Sequence, residues 1–108
     1  MPTFTRKFID WDKTGYNLEQ LRLTNPALRK KSCRSRIFEA GECEGDCDRC
    51  RFEMDNSISR AELAQIFGVS EHVIYSWERG RTPVGVEDLL FYCDVAEVAL
   101  SDILVFLP

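Results

Sequence analysis

Apolar and polar residues recur with a helical period over "SRAELAQIFGVSEHVIYSWERG", residues 59–80. Leu63, Ala64 and Phe67 fall on one side of a first helix, and Val73, Ile74 and Trp77 on one side of a second. Ser59 with Glu62 three positions later reads as a capping box that starts the first helix. Gly68 ends it, because glycine adopts a left-handed conformation without steric penalty. Ser70 caps the second helix and Gly80 closes it. The outward positions of the second helix are polar: Glu71, His72, Tyr75, Ser76 and Arg79.

The flanking sequence extends this pattern. Residues 1–10 read as an extended arm, followed by a short helix over Thr14–Leu23 with Leu18 and Leu21 on one face and Tyr16 alongside. Asn25-Pro26 interrupts that helix, since proline lacks a backbone donor and restricts the residue before it. "ALRKKSCRSRIF" has the pattern of one more helical piece with a basic side, whereas "EAGECEGDCDRC" is too polar and glycine-bearing for a regular element. "RTPVG" is a turn, and Gly85 precedes "VEDLLFYCDVAEV", where Leu89, Leu90, Cys93 and Ala96 form an apolar face. "LSDILVFLP" is expected to close the chain as a short apolar helix. No alternating strand pattern occurs. The expectation is one all-α domain of five helices: an arm at 1–13, a cysteine-rich irregular insertion at 24–57, a helix-turn-helix at 58–81, and C-terminal helices at 86–107.

Composition sharpens the picture in three ways. The chain has 108 residues, no long apolar run and no apolar core near its start, so a cytoplasmic protein with reduced cysteines is expected. The net charge is −4, which counts against a phosphate-binding surface, and residues 58–108 carry three positive against eight negative groups. A basic face can still sit on an acidic body. There is no phosphate loop, no Ser/His/Asp set and a single histidine, so no enzyme is expected.

The spacing of the central pair carries more information. Ala64 is small where two helices would cross, Gly68 supplies the bend, and Leu63, Phe67, Val69, Ile74 and Trp77 would lock the pair into a core. The second helix would then present its polar ridge outward, in the geometry that enters a major groove. With "LEQLR" and the run from Ile58 to Leu104, the chain resembles the phage repressor/Cro class of bacterial helix-turn-helix regulators, also called the xenobiotic-response-element-like family. The resemblance covers residues 14–22 and 58–104. It implies a five-helix DNA-binding domain whose third helix, Glu71–Arg79, reads bases. Ser70, Glu71, His72, Tyr75 and Ser76 fall where that family contacts base edges or nearby phosphates, and Arg60 falls at a phosphate-contact position. By their chemistry, Arg60, Arg79 and Arg81 can neutralise phosphates, Glu71 can accept from cytosine N4, and Ser76 can serve most bases.

Blander roles compete. His72 reads as a surface residue, Tyr75 could pack against the capping turn, and Glu71 could favour the positive end of its own helix. Cys93 reads as a small buried hydrophobe. The chain departs from the family in placing a long segment with four cysteines between the first and second helices, and in having Glu97 where glycine is common. Two functions follow. The first is a transcription regulator that binds double-stranded DNA, as a homodimer on two half-sites, with "ILVFLP" as a candidate dimer contact. The second is a protein-interaction or redox-sensing module on the same fold, with little DNA affinity.

Cys33, Cys43, Cys47 and Cys50 are separated by nine, three and two residues. Four thiolates in a short segment with few apolar residues suit tetrahedral Zn2+, whose binding would replace a missing core. Lys30, Lys31, Arg34, Arg49 and Arg51 would lower the thiol pKa values and offset thiolate charge. A redox disulfide, an iron–sulfur cluster and unliganded reduced thiols remain open.

Overall fold

The computed structural model describes residues 7–33 and 57–108. Their elements are α1 (Trp11–Thr24), α2 (Pro26–Cys33), α3 (Arg60–Phe67), α4 (Glu71–Glu78) and α5 (Val86–Ala96), then a 3-10 turn at Leu100–Asp102. The described residues are thus all-α, apart from one isolated antiparallel bridge between Ile9 and Phe106. α4 packs against both α1 and α3, and α2 packs against α3 and α5.

α1 begins at Trp11, three residues before the expected Thr14, because Asp10 caps it by accepting from the Lys13 amide. Asn25 ends α1 and starts α2: its amide donates to the Leu21 carbonyl, and its side-chain oxygen accepts from the Leu28 amide. Pro26 then occupies the first helical position, where its missing N–H is not needed. Polar residues of α1 and its C-cap tie down distant backbone. Thr14 Oγ1 accepts from the Val105 amide, Asn17 donates to the Ile103 carbonyl, and Asn25 donates to the Ala96 carbonyl.

The core is built from Leu18, Leu28, Ile58, Leu63, Ala64, Ile74, Trp77, Val84, Leu89, Tyr92, Val95, Ala96 and Ile103. Each expected anchor of the α3–α4 pair lies in this core or packs against it. Gly68 adopts φ 69°, and the Val69 amide closes the turn on the Ala64 carbonyl at 3.1 Å. Gly15, inside α1, has a different reason to be glycine. A Cβ there would lie 2.5 Å from the Trp77 carbonyl oxygen and 2.6 Å from that of Glu78, so α1 and α4 approach backbone to backbone.

Two expected features differ. The closing apolar helix is only the 3-10 turn, in which the Ala99 amide donates to the Asp102 carboxylate at 2.9 Å. Beyond it the chain finds better backbone partners in extended form. The Asp10 amide donates to the Val105 carbonyl at 2.7 Å, and the Leu107 amide to the Phe8 carbonyl at 2.8 Å. On α5, Leu90 is 55% exposed and lies off the inward face, which consists of Leu89, Tyr92, Val95 and Ala96. Glu97 ends α5 at φ 56°, a left-handed conformation that explains the usual glycine there.

Candidate nucleic-acid interface

α4 has two sides with different chemistry. Its inward side carries Ile74, Trp77 and, unexpectedly, Glu78, which is 3% exposed. The Glu78 carboxylate is gripped from two helices. Arg22 of α1 donates through Nε at 2.7 Å and Nη2 at 3.2 Å, and Arg60 of α3 donates through Nε at 2.9 Å. A remaining Arg22 donor, Nη1, reaches the Ile58 carbonyl at 2.9 Å. The forked guanidinium suits this bidentate contact. A helical register predicts the burial of Glu78, four residues after Ile74, but its charge disguises the position.

The outward side carries most of the residues expected to meet DNA. Glu71, His72, Arg79 and Arg81 are exposed, and so is Ser70, whose hydroxyl oxygen caps α4 by accepting from the Val73 amide. Arg60 and Tyr75 are half-buried. Ser76 corrects the expectation. It is 8% exposed, turned inward beside Trp77, so it does not belong to the ridge. Its position three residues after Val73 and one before Trp77 puts it at the edge of the apolar stripe, where a small side chain is readily enclosed.

Tyr75 is not packed alone against a turn. The guanidinium carbons of Arg60, Arg79 and Arg81 lie 5.2, 5.5 and 5.3 Å from its ring centre. The His72 ring stacks beside it, 6.3 Å between centres with planes 24° apart. The positive groups of residues 57–108 thus gather at α4, while Glu87, Asp88, Asp94, Glu97 and Asp102 lie on α5 and beyond it. Glu62, Glu71 and Glu78 lie on α3 and α4 as well, so the charge around α4 is mixed, with the arginines gathered at the Tyr75 ring.

Other titratable groups are set by burial. Burial pushes the Tyr92 phenol far above its ordinary range, aided by the nearby Glu78 carboxylate, and its hydroxyl has no hydrogen-bond partner. Burial also pushes the half-buried Cys93 thiol up, which makes it a poor nucleophile at neutral pH. Cys43, Cys47, Cys50 and the side chain of Cys33 lie outside the described residues. Among the described residues, no group of three or more His, Cys, Asp or Glu could hold a metal ion, and no helix is long and apolar enough to cross a membrane.

Residues 54–108, just over half of the chain, match the family described as the Cro/C1-type HTH DNA-binding domain. No curated protein and no solved structure matches the chain.

Proposed function

We propose that this chain, which belongs to the Cro/C1-type helix-turn-helix DNA-binding family, is a cytoplasmic transcription regulator that recognises particular double-stranded sequences by laying α4 in the major groove. The observation that carries this reading is the split of α4. Ile74 and Trp77 are buried, whereas Glu71, His72, Arg79 and Arg81 are exposed on the side where the cations gather. In the groove, Glu71 and His72 lead and touch base edges, Glu71 as an acceptor for cytosine N4. The arginines neutralise phosphates, and the Ser70 turn brings backbone toward them. A homodimer would place two such helices on half-sites about one helical turn apart.

Fluorescence anisotropy with random and selected duplexes, at low and moderate salt, tests this. Salt-sensitive binding with a preference for selected sequences is expected. A folded sample that binds no duplex at low salt would favour the second reading, a protein-interaction module. One observation supports that alternative: Val86 and Leu90 are 72% and 55% exposed on α5, beside exposed Glu87 and Asp94.

Zn2+ held by Cys33, Cys43, Cys47 and Cys50 is part of the proposal, supported by their spacing and chemistry. Elemental analysis after anaerobic purification should find near one equivalent of zinc per chain; none would remove the site.

A further inference from the structure

The stretch from residue 57 to residue 108 contains three arginines and no lysine, and all three arginines meet at the ring of Tyr75. They come from different places. Arg60 opens α3, Arg79 caps the C-terminal end of α4, and Arg81 follows the turn, its amide fixed on the Ser76 carbonyl at 2.9 Å. Among the described residues, the only carboxylate bonded to the group is Glu78, through Arg60, and Glu78 also serves Arg22. One negative charge therefore balances part of a crowd of cations, and Arg79 and Arg81 remain exposed. Guanidiniums repel one another at such separations. The negative face of an aromatic ring offsets part of that repulsion and gives each planar group a surface to lie on. An anion from outside would complete the balance.

The geometry points to Tyr75 as a positioning residue: an aromatic platform that holds Arg60, Arg79 and Arg81 together as a phosphate clamp, and not a reader of bases. This rests on the DNA-binding reading and assigns Tyr75 a role within it. Its ring is taken up by guanidiniums, so it acts through them. Reading of bases is left to Glu71 and His72, which lie nearer the start of α4.

The test compares the whole protein with Tyr75→Phe, Tyr75→Ala and the double change Arg79→Gln/Arg81→Gln. Affinity for a random and a selected duplex is measured by anisotropy across a salt series. Each phosphate neutralised adds about 0.9 to the steepness of log affinity against log salt. Tyr75→Ala should weaken binding to both duplexes by about tenfold and make that slope shallower by about one, while Tyr75→Phe keeps both. The arginine double variant, changed only at exposed positions, should lose at least as much slope, up to about 1.8 for two phosphates. Combined with Tyr75→Ala it should lose little more. Circular dichroism and the melting midpoint should stay near those of the unchanged protein for the arginine variant.

Three results would overturn the inference. Tyr75→Ala could bind with an unchanged slope. Its loss could be confined to the selected sequence, which would mark Tyr75 as a base reader. Tyr75→Phe could lose as much as Tyr75→Ala, which would mark the hydroxyl as the contact. If the unchanged protein binds no duplex, the DNA reading itself fails; the first three outcomes leave that reading standing.

Discussion

The two sides of α4 both gather arginines, with opposite consequences. On the inner side, Arg22 meets a fully enclosed carboxylate and its charge is cancelled. On the outer side, three guanidiniums share one ring, and those of Arg79 and Arg81 meet no carboxylate among the described residues. Arg60 belongs to both arrangements, because its Nε is bonded to Glu78 while its guanidinium lies over Tyr75. Buried charge that is matched holds helices in register; surface charge that is unmatched attracts a polyanion. Changes on the inner side should therefore appear in unfolding, and changes on the outer side in the salt dependence of binding.

Glu78→Ala breaks this contrast most severely. It leaves Arg22 in a buried site without its partner, and a loss of about 3–5 kcal/mol is expected in urea unfolding. A loss well under this range would mean that water reaches the pair. Gly15→Ala comes next. The new methyl would collide with two α4 carbonyl groups, and separating α1 from α4 should cost about 1–3 kcal/mol. Glu97→Gly should act in the other direction, adding about 1 kcal/mol by relieving a left-handed residue with a side chain. Its binding slope should not change, since it lies far along the chain from the outer face. Tyr92→Phe should be neutral or raise stability by up to about 1 kcal/mol, because it removes a buried hydroxyl that bonds to nothing. The smallest effect concerns Cys93. Its thiol pKa is raised, so thiolate is scarcer at neutral pH than in a free cysteine and becomes available only as pH climbs. Alkylation followed by peptide mapping should find it modified more slowly than a cysteine in an unfolded peptide.

The helix pair at the centre of the molecule was readable from residues alone. Ser59, Gly68 and Ser70 act through their own backbone neighbours, so local sequence contains the needed information. Leu63, Ile74 and Trp77 follow from a period. What escaped was decided by partners far away. Leu104 to Leu107 look helical in isolation, but Phe8, Asp10 and Thr14 offer their backbone other bonds. Gly15 is a weak helix residue until the α4 carbonyls beside it are known. Glu78 and Ser76 show the same limit at the candidate site. Both are polar and both are enclosed, although only Ser76 was placed on the outward ridge; Glu78 is held by arginines that α1 and α3 bring to that side. The resemblance to repressor-type regulators pointed to Arg60 and Tyr75, and side-chain chemistry to Arg79 and Arg81, yet no spacing rule announces that three arginines will share one ring.

The bridge between Ile9 and Phe106 joins positions almost a full chain length apart. Contacts of such high order are entropically late: the intervening polymer must already be compact before they repay the closure of so large a loop. The bridge should therefore be the last piece to zip during refolding and among the first to fray. In hydrogen exchange, the Asp10 and Leu107 amides should lose protection well before those inside α3 and α4, through a local opening that leaves α4 in place.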